Sequence, residues 1–168
     1  MAKLKGYKKL NKAITAPLKQ FGIKKAVCGK SYSYLFNKEK IIFQLTIGIE
    51  DEWFNTFVKK RFDYKIEYPF VISLLHEVGH HLNNEDIDGE VYAFCLSEKA
   101  RIDREMLSAS KKRQKELEFQ YFSLPDEIMA TAWAINYAKK HPKKIKKMWR
   151  KMQPAILEFY AKNNITDD

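Results

Sequence analysis

The feature that most constrains this chain is a strongly apolar helical segment that carries two histidines four residues apart. Residues 68–82 have the sequence YPFVISLLHEVGHHL, and Pro69 suits the first turn of a helix. Apolar side chains recur in this segment at helical spacing, and they form one stripe: Val71, Leu75, Val78 and Leu82. The segment therefore predicts a buried helix with the two histidines inside it.

The pattern His76-Glu77-Val78-Gly79-His80 is H-E-x-x-H, and chance would produce it in about 0.7% of shuffled chains of this composition. Histidines at i and i+4 project from one helix face, so both imidazoles reach one metal ion. Glu77 points about 100° further round the helix, beside the open position of that metal. This arrangement is typical of zinc-dependent peptide hydrolysis, in which the glutamate takes a proton from zinc-activated water. The motif therefore predicts a Zn²⁺ site with Glu77 as the general base.

A catalytic zinc site has three protein ligands and a water, so a third ligand must come from another segment. Glu127 stands at the start of a predicted helix that begins near Pro125 and ends at His141. Small residues follow on nearly one face of that helix: Ala130, Ala134 and Ala138. Such a face would let this helix approach the motif helix closely. We expect Glu127 to be the third ligand.

Asp86 is the alternative third ligand. It lies ten residues after His76, which is where H-E-x-x-H-x-x-G-x-x-H/D sites have theirs, although Asn83 occupies the glycine position of that pattern. Asp126 and Glu90 are further acidic candidates. The spacing leaves the choice among these carboxylates open and favours Glu127.

Other polar side chains are candidates for stabilising the oxyanion of a tetrahedral intermediate. Tyr137 and His141 are the main ones, with Tyr121 and Tyr92 as further candidates. For each of these side chains an ordinary packing or helix-end position is the favoured interpretation. His81 is adjacent to the second histidine of the motif but points away from the metal face.

The order of the predicted elements favours an α+β fold, with a small antiparallel or mixed sheet packed on the motif helix and further helices after it. Residues 26–36 and 40–49 are rich in β-branched and aromatic residues, and the short link between them predicts a hairpin. We expect a strand within 40–49 to be a sheet edge on which an extended substrate lies. Residues 89–122 are predicted to be mostly one long polar helix, and a basic helix ending near 162 is interrupted or restarted at Pro154.

The chain shows no repeat and no linker-like segment, so one domain over residues 1–168 is expected. Within it we distinguish three parts: a basic N-terminal helix (1–25), the catalytic core (26–141), and a basic C-terminal helix and tail (142–168). The two cysteines, Cys28 and Cys95, cannot form a disulfide framework, which fits a reducing, cytoplasmic location. From the residue pattern we expect neither a secretory signal nor a membrane span.

The net charge of +10 is concentrated in two lysine-rich blocks, residues 1–38 and 139–151, neither of which contains an acidic residue. Such blocks can bind nucleic acid or an acidic protein, but lysines predominate in them and no nucleic-acid-binding motif accompanies them, which favours solvated lysine-rich faces. A nucleic-acid partner is therefore not favoured. The alternative function is a zinc-containing binding module, or pseudoprotease, whose basic faces recognise such a partner.

The motif helix, preceded by a small sheet and followed by a helix with the pattern Glu-x-x-Ala-x-x-Trp-Ala, resembles the zincins that use a glutamate as third ligand (gluzincins). It is most similar to the compact ImmA/IrrE-type metallopeptidases of phages and mobile elements. The resemblance covers roughly residues 30–141 and implies a metalloprotease with His76, His80 and Glu127 as zinc ligands. It also implies a hydrolase that acts on a regulatory protein. Some gluzincins have an aspartate four residues after that glutamate, where this chain has Thr131.

Overall fold

The computed structural model of the chain describes residues 6–29, 33–35, 39–43, 45, 52–83 and 86–163. In chain order the elements are α1 (Tyr7–Leu18), a short 3-10 turn (Lys19–Phe21), β1 (Lys25–Cys28), β2 (Ser33–Leu35), β3 (Lys40–Phe43), α2 (Glu52–Phe62), α3 (Pro69–Asn83), α4 (Gly89–Met106), α5 (Lys111–Phe122), α6 (Pro125–Lys140) and α7 (Pro142–Lys162). None of the helices in this part of the chain combines the length and the apolar character that crossing a bilayer requires.

The three strands form one small sheet with the order β1-β3-β2. β2 and β3 pair antiparallel, with Leu35 opposite Lys40, so the expected hairpin is present. β1 and β3 pair in parallel, so the sheet is mixed, which is the second of the two expected arrangements and not the wholly antiparallel one. The segment 26–36, predicted as one strand, contains part of β1 and all of β2. A mostly helical chain with one small sheet is compatible with the α+β class.

The position of β3 contradicts the idea that residues 40–49 supply a sheet edge for the substrate. β3 lies between β1 and β2, so its backbone hydrogen bonds are used within the sheet, and residues 44 and 46–49 fall outside the described part. The edge strand β1 is covered by α1. Thr15 Oγ1 accepts a hydrogen bond from Ala26 N at 2.9 Å, and Asn11 Oδ1 accepts one from Cys28 N at 3.0 Å. These side chains satisfy the outer N–H groups that an edge strand otherwise exposes.

The motif helix α3 lies at the centre of the domain, as its sequence predicts. Its buried residues lie on several faces rather than on one stripe, as in helices enclosed by other elements: Val71, Ile72, Leu74, Leu75, His76, Glu77, Val78 and Gly79. α3 packs most extensively on α6 and also contacts β2, β3 and α7. Leu82, predicted to be the last member of the buried stripe, is 41% exposed because α3 ends there at the surface.

Two helix predictions need correction. Residues 89–122 form two helices rather than one: α4 ends at Met106, and Ser110 caps the start of α5 by accepting a hydrogen bond from Arg113 N at 3.3 Å. α7 is not interrupted at Pro154 but continues through it. Buried apolar residues occur on both sides of this proline: Ile145, Met148, Met152, Ile156 and Phe159. Packing of that stripe offsets the backbone hydrogen bond that proline cannot donate.

Candidate metal centre

Two of the polar side chains at the centre of the site come from α3. His76 and His80 are one helical turn apart, and their Nε2 atoms are 3.1 Å from each other. His76 is buried and His80 partly buried. An edge contact from the Phe54 ring of α2, at 5.6 Å between ring centroids, covers one side of His76. The two imidazoles therefore converge from one helix face, as the i, i+4 spacing predicts.

α6 reaches this face because small residues allow its backbone to lie against α3. A Cβ atom added at Gly79 would be 2.5 Å from the carbonyl oxygen of Ala130 and 2.7 Å from its Cα. Ala130, Ala134 and Ala138 are all buried, so the predicted small face of α6 is the face in the core. Glu127, in the first turn of α6, is thereby placed beside the histidines.

Glu127 completes the cluster. Its Oε2 is 3.0 Å from His76 Nε2, and its Oε1 is 3.4 Å from His80 Nε2. Its side chain is only 3% exposed. Burial by itself would raise the pKa of Glu127, but the hydrogen bonds from His76 and His80 hold it well below its usual range. For His80 the two effects have the opposite signs: burial by itself would lower its pKa, whereas hydrogen bonding to Glu127 raises it.

The geometry and chemistry of these three residues fit a zinc ion. Their candidate ligand atoms all lie within 4.8 Å of one another. In a tetrahedral site with bonds of 2.0–2.2 Å, neighbouring ligand atoms are about 3.3–3.6 Å apart. The distances of 3.0, 3.1 and 3.4 Å between ligand atoms in the cluster are close to those of such a tetrahedral site. Two imidazoles and one carboxylate are also the ligand set of catalytic zinc sites that keep one position open.

Glu77 is buried beside the cluster, with 5% of its surface exposed. Burial raises the pKa of Glu77, and the neighbouring His76 and His80 only partly oppose that effect. Within the described part of the chain, the group of potential ligands contains His76, His80 and Glu127 and does not include Glu77. The glutamate of the motif is thus close to the cluster without belonging to it.

Thr131 contacts a histidine of the cluster, and this contact could not be identified from the sequence. Its Oγ1 lies 3.0 Å from His76 Nδ1, and the residue is fully buried. A hydrogen bond on the second ring nitrogen fixes the orientation of a ligating histidine. Thr131 follows Glu127 by four residues, so both side chains lie on the same face of α6. That i, i+4 relation was the one signal available in the sequence.

The ion pairs of Lys99 beside the cluster were also not predicted, and Asp126, a candidate ligand in the sequence, binds this lysine and is not in the group of potential ligands of the described chain. Lys99, on α4, has its Nζ 2.5 Å from Asp126 Oδ2 and 2.5 Å from Glu127 Oε1. The ring of Tyr121 lies 5.2 Å from the same ammonium. Burial would lower the pKa of Lys99, but the charge of Glu127 raises it, so the side chain remains an ammonium. In the sequence Lys99 is an ordinary cation of a polar helix, and nothing in its spacing connects it with Glu127.

Of the remaining candidates, only Tyr121 lies beside a residue that contacts the cluster in the described part of the chain. Asp86 and Glu90 are exposed and are not among its members in the described chain. Tyr137 is near the far end of α6, about 15 Å along the helix axis from Glu127. There it stacks on Trp133, with ring centroids 5.3 Å apart, and contacts His141 at 4.6 Å.

Of the two further tyrosines, Tyr92 is 43% exposed on α4, and Tyr121 contacts Lys99 as described above.

Comparisons of the chain with protein-family models, with curated proteins and with solved structures found no match.

Proposed function

We propose that this protein is a zinc-dependent metallopeptidase in which His76, His80 and Glu127 hold Zn²⁺. The observation that carries the proposal is the convergence of two imidazole nitrogens and one buried carboxylate at 3.0–3.4 Å, from helices that are far apart in sequence. A bound Zn²⁺ would make a water molecule acidic enough to react near pH 7 and would polarise the carbonyl of the scissile bond.

The residues of the chain have distinct tasks in this proposal. The Glu77 carboxylate accepts the proton of the attacking water and later gives it to the leaving amine. Thr131 keeps the Nε2 atom of His76 directed at the cluster through its contact with Nδ1. Phe54 covers the His76 ring and excludes water from that side. The proposed reaction is thus the hydrolysis of a peptide bond by general-base catalysis.

We further propose that the substrate is a regulatory protein in the cytoplasm. Two observations support this setting. Cys28 and Cys95 are free thiols, as expected in a reducing compartment. The motif resembles that of the ImmA/IrrE-type metallopeptidases, which act on such proteins.

The test uses purified full-length protein and three variants. We expect about one zinc ion per chain in the parent by elemental mass spectrometry. Glu127→Ala should lose the metal, while Asp86→Ala, the matched change at an exposed carboxylate, should keep it. Glu77→Gln should bind zinc as the parent does and fail to cleave a proteome-derived peptide library that the parent cleaves.

Each outcome of this test has a defined meaning. A parent chain that binds no zinc after reconstitution would refute the proposal. Zinc binding in the parent without any cleavage would instead favour the binding-module alternative. Equal cleavage by the parent and Glu77→Gln would remove Glu77 from the mechanism.

A further inference from the structure

The ammonium of Lys99 contacts one particular oxygen of the proposed glutamate ligand. Lys99 Nζ is 2.5 Å from Glu127 Oε1, whereas Glu127 Oε2 is the oxygen that lies 3.0 Å from His76 Nε2. The lysine side chain is 18% exposed, so this contact is largely shielded from solvent. Charge-assisted hydrogen bonds of this kind are among the strongest in proteins. The two oxygens of this carboxylate therefore have different nearest partners: Oε1 is closest to the ammonium and lies 3.4 Å from His80 Nε2, whereas Oε2 faces His76.

Asp126 balances the charge of Lys99. Its Oδ2 is 2.5 Å from the same ammonium, and the residue is buried. The pair Lys99–Asp126 is neutral as a unit, so the negative charge of Glu127 remains available to a cation. This balance matters because an uncompensated lysine so close to the cluster would repel a divalent ion.

Lys99 lies on α4 between the two buried residues of that helix. Only Cys95 and Ile102 are buried among the described residues of this helix. The ammonium is enclosed by two carboxylates and the Tyr121 ring. A lysine held from three sides has a fixed position, and it can therefore fix the carboxylate that it binds.

We infer that Lys99 is a positioning residue that makes Glu127 a one-oxygen ligand, with Oε1 bound to the ammonium and Oε2 directed to the metal. This inference rests on the proposed function. A carboxylate can bind a metal through one oxygen or two, and catalytic zinc sites with three protein ligands need the fourth position for water. By engaging Oε1, Lys99 keeps that position from being taken by the second oxygen of the same glutamate. The hydrogen bond on a ligating carboxylate thus sets the coordination number as well as the orientation.

The test is the visible absorption spectrum of the full-length chain loaded with Co²⁺ alone. Four-coordinate Co²⁺ absorbs much more strongly than five- or six-coordinate Co²⁺, so the spectrum reports the coordination number. We expect a strong four-coordinate spectrum in the parent and at least a twofold weaker one in Lys99→Met, in which both oxygens of Glu127 are free to bind. Lys99→Arg, which keeps a charged donor, should restore the parent spectrum.

Arg101→Met is the matched control, because it removes another ion-paired cation of α4, one that contacts Glu98 and Glu105 instead. It should leave the spectrum unchanged. An unchanged spectrum in Lys99→Met, or a weak five-coordinate spectrum in the parent, would overturn the role of Lys99 while the proposed function stands. If Lys99→Met does not fold, as judged by circular dichroism, Lys99→Arg decides: a weakened spectrum there overturns the inference, and a parent-like one supports it. A parent chain that binds no Co²⁺ refutes the proposed function and this inference together.

Discussion

Replacing Gly79 by alanine should separate the two helices that carry the proposed metal ligands. The added Cβ would lie 2.5 Å from the carbonyl oxygen of Ala130, 2.7 Å from its Cα and 2.9 Å from its carbonyl carbon. All three are backbone atoms, which cannot move aside as a flexible side chain does. α3 and α6 must therefore shift apart by several tenths of an ångström, and the cluster between them widens with them.

The size of the effect follows from two opposing terms. Overpacking of this kind costs about 1–3 kcal/mol, and contact with three backbone atoms argues for the upper end. Alanine in place of glycine inside a helix returns about 1 kcal/mol. We therefore expect Gly79→Ala to lower the free energy of unfolding by about 2 kcal/mol, which corresponds to a decrease of roughly 4–8 °C in Tm for a chain of this size.

Urea and thermal unfolding, followed by circular dichroism, measure this change, and a competition titration with a zinc chelator measures the metal affinity. Gly89→Ala is the matched control, because a Cβ there meets nothing within 4 Å. That variant should match the parent or exceed it slightly in stability. If Gly79→Ala were as stable as Gly89→Ala and bound zinc equally well, the close approach of α3 and α6 described above would be wrong.

Two further predictions concern single contacts. Thr131→Val removes the hydroxyl 3.0 Å from His76 Nδ1 at nearly constant volume, and we expect a zinc affinity roughly 10–100-fold weaker by the same competition titration; an unchanged affinity would show that the threonine does not orient the histidine. Hydrogen bonds from Lys162 and Lys9 lower the pKa of Glu158 to about 2. Because the folded pKa lies below the ordinary value of 4.5, this stabilisation is present above about pH 4.5 and is lost as the pH falls towards 2. Glu158→Gln should flatten that part of the Tm-versus-pH curve, and two parallel curves would contradict the assignment.

The part of the site that depends on local spacing could be predicted from the sequence. The i, i+4 relation of His76 and His80 fixes their common face, and the alanine stripe of α6 correctly indicated a close approach to α3. Glu127 was the favoured carboxylate on the same argument, and it is the one that the structure brings to the histidines. Such predictions succeed because helix geometry fixes which side chains share a face, and a face of small residues indicates where two helices can approach closely.

Other contacts between distant segments could not be predicted in this way. Lys99 reaches Glu127 only because α4 packs near the start of α6, and no periodicity in α4 marks that lysine. The central position of β3 is likewise a property of strand order, which the composition of 40–49 does not determine. The break between α4 and α5 depends on the Ser110 cap, a signal too local to outweigh the polar helical pattern around it.

The division of the proposed ligands between α3 and α6 has a consequence for the stability of the folded chain. Glu127 follows His80 by 47 residues, and this loop contains all of α4 and α5. An ion bound at both ends would act as a reversible crosslink, and closing a loop of this length restricts the unfolded ensemble by about 4 kcal/mol in the chain-entropy model. The same ion would join the two ends of the loop that contains α4 and α5. The exposed apolar side chains of α4 would then lie within that closed loop. Metal availability would then govern how long the protein remains folded as well as whether it is catalytically active.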